Sequence, residues 1–224
     1  MTFRNYLPKF YHYVFIFLLI FFWQFNLPIL IPLTPYAIIL FLTRKKKDNY
    51  REDDLIKNDM VYSPVNGKVR SITKNVDHKL FGSQLTQVEI VIPFWKETGL
   101  FLPMTLEIKD MIVEKGRERW RWTGSPLPDQ KDQLKAGLAV SCLSVNGTQL
   151  GLQFFKCYLG FWPELRVIPG DRGKVQVNFG FFPFGGTVVL YLPSNYEILI
   201  DRNTEMIAGQ TIVAGLPEDI EVGS

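Results

Sequence analysis

The distribution of charge divides the chain into an apolar N-terminal part and a mixed body. No charged residue occurs in Phe10–Thr43, a stretch of 34 residues. As one straight helix this stretch would extend about 50 Å, well beyond the roughly 30 Å hydrocarbon core of a membrane. Its middle carries Asn26, Pro28, Pro32 and Pro35, and proline interrupts helices. The pattern predicts a hydrophobic helical hairpin, inserted in a membrane as a re-entrant or shallow element.

Basic residues flank the apolar stretch on both sides. Arg4 and Lys9 precede it, and it is followed by Arg44, Lys45, Lys46 and Lys47. Because positive charge favours the cytoplasmic side, both ends and the body are expected at the cytoplasmic face of the inner membrane. The alternative is a single tilted span over Tyr11–Ile31, which would put the body on the opposite side. A cleaved signal peptide is disfavoured by the bulky apolar core and the lack of a small-residue cleavage site.

Beyond residue 60 the hydrophobic pattern is that of short strands separated by turns. Runs rich in β-branched and aromatic residues are typical of strands. They occur at Lys68–Thr73, Leu85–Ile92, Gly137–Ser144, Gln149–Leu159, Lys174–Phe179, Thr187–Leu192 and Glu205–Ala214. Turns are indicated between them by Asn66-Gly67, Asn146-Gly147, Pro169-Gly170 and Ala208-Gly209, of which Asn-Gly is the strongest hairpin signal.

The predicted fold class is therefore mainly β, with a single β-rich domain preceded by the helical hairpin. Only Asp129–Ala136 has a pattern compatible with a helix in the body. The predicted organisation is a membrane-inserted hairpin with basic flanks at 1–47, a charged connector at 48–59 and the β domain at 60–224.

Composition excludes several functional classes. The net charge of +3 is small for a nucleic-acid-binding protein. Two cysteines, Cys142 and Cys157, provide no disulfide framework, and the two histidines, His12 and His78, are too few for a typical zinc site. We therefore expect no metal and no nucleic-acid partner.

A segment of alternating arginines and tryptophans is a candidate lipid-contacting surface. Arg117, Arg119 and Arg121 alternate with Glu118, Trp120 and Trp122, so a strand would present them on opposite faces. One interpretation is a half-buried strand. The other is a membrane-interface face, since arginine and tryptophan both suit the headgroup region. The predicted lipid-binding residues are Arg44, Lys45, Lys46, Lys47, Arg119, Trp120 and Arg121.

Three motifs, in the same order along the chain, resemble those of the phosphatidylserine decarboxylase family, especially its short bacterial form. Tyr62–Val69 resembles the family's Ser-Pro-Ala-Asp-Gly-Lys-Val segment. Gly147–Gln153, followed by Arg166-Val167, stands where the family has Gln-Ile-Ala-Gly and Arg-Arg-Ile. Gly170-Asp171-Arg172, Phe184–Pro193 and Ile207–Ala214 resemble the segments around the family's Phe-Gly-Ser-(Thr or Arg)-Val and its closing Gly-(Glu or Gln)-Thr-Val-Ile-Ala.

This resemblance implies a phosphatidylserine-decarboxylase-like β domain and a proenzyme that cuts itself. In the family the serine of the Gly-Ser pair attacks the preceding carbonyl, and β-elimination leaves a pyruvoyl group that serves as the electron sink for decarboxylation. A histidine and the aspartate of the first motif activate the serine in a triad-like arrangement.

All three of these positions differ in this chain. Gly186 replaces the serine after Gly185, and Asn66 replaces the aspartate. The region expected to hold the histidine, 97–105, contains none. Thr187 is a weak alternative nucleophile, because a shift of one residue along a strand turns its side chain to the opposite face. We therefore expect no catalytic residues and no pyruvoyl cofactor.

The sequence is compatible with three functional hypotheses. The favoured one is a non-catalytic, membrane-anchored binding or scaffold module that binds membrane phospholipid, an active paralogue or a membrane protein complex. The second is an active phosphatidylserine decarboxylase that makes phosphatidylethanolamine, with Thr187 as the nucleophile. The third is an unrelated β-barrel-like membrane accessory protein.

Overall fold

The computed structural model describes residues 9–42, 59–114, 137–156 and 162–217. The chain divides into two compact units, Met1–Asn49 and Tyr50–Ser224. The predicted connector at 48–59 lies, apart from Asp59, outside the described residues, as do the predicted lipid-binding residues and the segment Asp129–Ala136.

The first unit contains two apolar helices, α1 (Lys9–Gln24) and α2 (Leu30–Leu42). The turn between them contains Asn26 at a positive φ of 50°, a conformation that asparagine tolerates better than most residues. Tyr36 of α2 stacks on Phe15 of α1 with the ring centroids 3.6 Å apart, and its hydroxyl hydrogen-bonds His12. Neither described helix has both the length and the apolar character needed to cross a membrane.

Four residues were predicted to interrupt the apolar stretch, and two of them lie inside a helix instead. Asn26 and Pro28 lie in the turn, but Pro32 lies in the first turn of α2 and Pro35 lies inside that helix. Near a helix N-terminus the missing proline N–H costs little, because those donors have no helical partner in any case. The alternative of one continuous span over Tyr11–Ile31 is wrong, since α1 ends at Gln24. Membrane insertion stays a prediction.

The second unit is built from antiparallel sheets, which confirms the mainly β class. Its largest sheet has the strand order β13-β2-β3-β11-β7-β6-β5-β9, and two smaller sheets have the orders β1-β14-β12 and β4-β10-β8. The described strands are β1 (Val61–Tyr62), β2 (Gly67–His78), β3 (Gly82–Ile92), β4 (Gly99–Phe101), β5 (Leu106–Glu114), β6 (Gly137–Ser144), β7 (Gln149–Lys156), β8 (Glu164–Leu165), β9 (Arg172–Gly173), β10 (Asn178–Phe181), β11 (Gly186–Pro193), β12 (Glu197–Ile198), β13 (Glu205–Met206) and β14 (Ile212–Gly215).

Strand alternation divides the large sheet into two faces, each with its own apolar cluster. On β11, Val188, Leu190 and Leu192 belong to the main core, while Val189 and Tyr191 belong to a second cluster on the other face. The main core also holds side chains of β3, β6, β7 and the two small sheets. Both faces of β11 are therefore apolar, as expected for a strand buried on both sides.

Within the described residues, the predicted strands and turns agree with the observed ones except in three places, and the end of Gln149–Leu159 beyond Lys156 lies outside the described residues. Most of Lys174–Phe179 is a turn, and β10 begins only at Asn178. Glu205–Ala214 is broken by a turn at Ile207–Thr211 into β13 and the start of β14. Asn66-Gly67 does not form a hairpin, because β1 pairs with β14 and not with β2. Asn146-Gly147 does connect the antiparallel strands β6 and β7, with Gly147 at a φ of 78°.

Candidate functional site

The first and the last of the sequence motifs that carry the family resemblance meet at the end of the large sheet where β11 begins. The first and last motifs are joined by backbone hydrogen bonds from Ser63 N to Thr211 O and from Gly209 N to Ser63 O, both 2.8 Å. Gly186 at the start of β11 pairs with Ile92 at the end of β3. The segment following Ile92 is the region in which the histidine was expected, so all three degenerate positions lie in one neighbourhood.

The chain enters β11 through a tight turn with a strained backbone. The N–H of Gly185 donates to the carbonyl of Phe182 at 3.0 Å, and Phe182 N in turn donates to Thr98 O at 2.7 Å. Phe184 and Gly185 both have positive φ, 58° and 73°. Pro183 followed by a positive-φ residue is the pattern of a type II turn, in which that position is normally glycine or asparagine. Phe184 therefore adopts a conformation that costs a bulky side chain energy.

The space around Gly186 is closed to any side chain. A Cβ atom at this residue would lie 2.5 Å from Cζ of Phe182 and 2.6 Å from the backbone oxygen of Phe155. Both distances are well below the van der Waals contact of about 3.5–4 Å. Phe182 is fully buried and packs edge-to-face on Phe154, with centroids 6.1 Å apart. Phe182 thus fills the space that a serine at position 186 would require.

Thr187 lies on the other face of the sheet from Gly186. Residue 186 has the same parity along β11 as the main-core residues Val188 and Leu190, whereas Thr187 has the parity of the second cluster. Thr187 pairs with Val91 of β3 and Phe155 of β7. Its hydroxyl therefore starts from the face of the strand opposite to the face of residue 186.

Asn66 is half-buried and is engaged through both ends of its amide. Its Oδ1 accepts a hydrogen bond of 3.0 Å from the backbone N–H of Ala208, and its Nδ2 lies 3.5 Å from Oε2 of Glu97. Glu97 is the first residue of the region expected to hold the histidine. In place of the family's aspartate and histidine, this neighbourhood therefore combines a neutral amide with a carboxylate.

Among the described residues, His78 and Cys142 also have catalytic potential, but they lie away from this neighbourhood. His78 pairs with Gly82 of β3, ten residues from Ile92, which corresponds to about 33 Å along the strand. Its ring stacks on Phe81 with the centroids 4.3 Å apart and contacts the tilted ring of Tyr191 at 4.7 Å. Cys142 is buried in the main core, and burial raises the pKa of its thiol to about 12. Cys142 is therefore a protonated packing group and not a nucleophile.

The ring of His78 makes the stability of the second unit depend on pH. Burial lowers the pKa of His78 from its ordinary value of 6.5, so the folded state favours the neutral ring. The folded unit therefore has its full stability above about pH 6.5, where the ring is neutral in both the folded and the unfolded state. It loses stability as the pH falls toward and through the lowered pKa of the folded state, because the unfolded chain binds the proton more readily. We expect the denaturation midpoint of the full chain in mild detergent to fall between pH 7.5 and 5.5, and His78→Gln to flatten that slope. His12→Gln is the control, and an equal slope in native chain and His78→Gln would contradict the assignment.

The sequence left three features of this neighbourhood unidentified. The first is the ring of Phe182, because nothing in the local pattern shows that a core side chain points at Gly186. The second is Glu97, which lies in the region 97–105 but corresponds to none of the family's catalytic serine, histidine and aspartate. The third is the exposed turn containing Phe94 and Trp95, directly after Ile92. The predicted lipid-binding residues Arg44–Lys47 and Arg119–Arg121 lie outside the described residues, so their role stays a prediction.

Comparison with known proteins shows which family the chain is similar to. No family model matches the chain. Three curated relatives are each named phosphatidylserine decarboxylase proenzyme. The protein from Chlorobium phaeobacteroides is 24% identical over 84% of this chain and 86% of its own length. The proteins from Parabacteroides distasonis and Porphyromonas gingivalis are 22% and 20% identical, over 70% and 81% of this chain and 69% and 78% of their own lengths. Over most of its length the chain is therefore similar to members of the phosphatidylserine decarboxylase family, in agreement with the motifs found in the sequence.

Proposed function

We propose that the protein is a membrane-anchored, non-catalytic member of this family that serves as a binding or scaffold module. The single observation that carries the proposal is the packing around Gly186. The residue has no hydroxyl to attack the preceding carbonyl and no β-carbon from which to eliminate. In addition, Phe182 and the carbonyl of Phe155 occupy the position that a β-carbon would need.

The groups that would activate a nucleophile are also replaced. A triad-like site needs a base that accepts the hydroxyl proton and an anionic group that orients the base. Asn66 is neutral at every pH and already accepts a hydrogen bond from Ala208. Glu97 stands beside it where a proton-accepting ring was expected. The residues present therefore do not fit the formation of a pyruvoyl group, and we expect no cofactor.

The alternative function is an active decarboxylase that uses Thr187. The names of the curated relatives favour this activity for the family as a whole. The position of Thr187 argues against it, since its side chain starts from the face of β11 opposite to that of residue 186, where the family's serine would stand. Of the two, we infer the non-catalytic function.

The binding role is proposed from the remaining features of the chain. The helices α1 and α2 expose large apolar side chains such as Phe17, Trp23 and Leu30, which suits contact with lipid and not with water. The body is proposed to lie on the cytoplasmic side of the inner membrane, with Arg44–Lys47 at the anionic surface. The partner classes are membrane phospholipid, an active paralogue or a membrane protein complex.

The test of inactivity is the intact mass of the purified chain after prolonged incubation with phosphatidylserine vesicles. We expect one uncut chain of 25.9 kDa, no 2-oxoacyl N-terminus and no release of carbon dioxide. The matched variant is Thr187→Val, which keeps the side-chain shape but removes the hydroxyl, and its mass pattern should equal that of the native chain.

The contrary result is equally specific. If the native chain gives two fragments that separate at Gly186–Thr187, and Thr187→Val stays whole, then Thr187 is the nucleophile. Carbon dioxide release that accompanies this cutting would establish the alternative function in place of the proposed one.

A further inference from the structure

An exposed turn with two aromatic residues lies beside the Gly185–Gly186 segment. The backbone N–H of Lys96 donates to the carbonyl of Pro93 at 3.0 Å, so Phe94 and Trp95 are the two central residues of a tight turn. Such positions normally hold glycine, asparagine, aspartate or other polar residues. Here Phe94 is 49% and Trp95 is 55% exposed, with their rings packed edge-to-face at 4.8 Å. We name these two residues the aromatic tip.

A second turn places further apolar surface next to the aromatic tip. Ile207, in the turn after β13, is 50% exposed. The ion pair between Lys96 Nζ and Glu205 Oε2 at 3.2 Å joins the turn of the aromatic tip to β13, which directly precedes Ile207. Asn66 adds a second link, because it contacts Glu97 and accepts a hydrogen bond from the backbone N–H of Ala208. Exposed Lys68 pairs across the strands with Glu205. The apolar residues thus have lysines at their edge.

We propose that the aromatic tip inserts into the interfacial region of a lipid bilayer and holds the end of the sheet that contains Gly186 against the membrane. Tryptophan and lysine are both suited to the headgroup region, where the ring meets the acyl boundary and the ammonium meets phosphate. The inference rests on the membrane location in the proposed function, because the covalent link to α1 and α2 keeps the tip at high local concentration beside a membrane.

The size and shape of the patch favour lipid over a protein partner. Each aromatic side chain offers about 150–250 Å² of surface. Half-exposed, the two rings together provide about 200 Å², whereas a stable protein interface buries about 800 Å² on each partner. A two-residue turn is a convex projection, which can enter a deformable lipid layer without a complementary groove.

A second turn in the same chain provides a matched control. The N–H of Tyr196 donates to the carbonyl of Pro193 at 3.2 Å, so Ser194 and Asn195 take the central positions that Phe94 and Trp95 take in the first turn. Both residues are polar and exposed. This turn follows the other end of β11, about 23 Å along the strand from Gly186.

The experiment measures the depth of a fluorescent label in the full chain reconstituted into vesicles of phosphatidylcholine and phosphatidylglycerol. In a Cys157→Ser background, Phe94→Cys or Asn195→Cys is labelled with nitrobenzoxadiazole, while Cys142 is protected by burial and its raised pKa. Nitroxide-bearing lipid is expected to quench the label at position 94 at least about threefold more than the label at position 195, and aqueous iodide the reverse. Adding Trp95→Ser to the position 94 variant should lower the lipid quenching about twofold.

Flotation of the same samples distinguishes failure of the aromatic tip to insert from failure of the chain to bind the membrane. If the chain floats with the vesicles but both labels are quenched equally by iodide and not by lipid nitroxide, the aromatic tip does not insert and the inference is wrong, while membrane anchoring stands. If the chain does not float, both the inference and the membrane part of the proposed function are overturned. Unchanged lipid quenching after Trp95→Ser would also contradict insertion by the aromatic tip as a unit.

Discussion

Gly186→Ser is expected to lower the free energy of unfolding of the second unit by about 2–3 kcal/mol, the cost typical of overpacking a core, and to leave the chain uncut. The added Cβ would meet the ring of Phe182 at 2.5 Å and the carbonyl of Phe155 at 2.6 Å. The carbonyl of Phe155 belongs to β7, which is hydrogen-bonded to β11 and pairs Lys156 with Gly186. It therefore cannot move away from the added Cβ without disturbing the pairing of these two strands. The measurements are chemical denaturation of the full chain in detergent and its intact mass after prolonged incubation.

Two further variants test whether the clash of the added Cβ causes the lower free energy of unfolding. Gly186→Ala adds the same Cβ without a hydroxyl, so it should be destabilised by nearly as much as Gly186→Ser. Combining Gly186→Ser with Phe182→Ala should cost less than the sum of the two changes, with an interaction energy of at least about 1 kcal/mol. The recovery should be partial, because the Phe155 carbonyl remains in place.

A stable Gly186→Ser variant would contradict the packing argument. Rapid self-cleavage of this variant would go further, since it would mean that a base and an anionic partner survive near the new hydroxyl. In that case the chain would differ from an active relative by its nucleophile alone, and the proposed loss of the activating groups would be wrong.

The strands of the body were largely predictable because their signals are local. The runs on β3, β6 and β11 combine β-branched residues with clear bounding turns. The segment Lys174–Phe179 has similar residues but forms a turn, because Val177 accepts a backbone hydrogen bond from Leu102 and Gln176 N donates to the Leu102 carbonyl. These contacts join residues more than seventy positions apart, which no local pattern contains.

The sequence alone shows that the family's catalytic side chains are missing from this site. It does not show which side chains pack in their place. A glycine at position 186 and an asparagine at position 66 are read directly from the sequence. That Phe182 fills the space beside Gly186, and that Glu97 lies against Asn66, depends on the turn at Pro183–Phe184 and on the pairing of β11 with β3. Both contacts depend on the tertiary structure. Restoring activity would therefore require repacking of the site in addition to replacement of the missing catalytic residues.

Asn66→Asp, which restores the family's residue, is expected to destabilise the second unit by about 1–2 kcal/mol at pH 7.5. One carboxylate oxygen can keep the hydrogen bond from Ala208 N. The other would replace Nδ2 and face Oε2 of Glu97 at about 3.5 Å, a repulsion of about 1 kcal/mol at the dielectric constant of water and more in a half-buried site. The measurement is the denaturation midpoint of native chain and variant in detergent as a function of pH.

The pH dependence and one second-site change identify the repulsion as the cause. Like charges raise the pKa values of both carboxyl groups in the folded state, so Asn66→Asp should be close to native stability at low pH and should lose stability as the pH rises through those values. Glu97→Gln in the Asn66→Asp background should remove this loss, because an amide can donate to the new carboxylate, while Glu97→Gln alone should have little effect. If Asn66→Asp is as stable as the native chain at pH 7.5, Glu97 does not oppose the family's aspartate. An attempt to rebuild the active site should then begin at position 66, with Glu97 left in place.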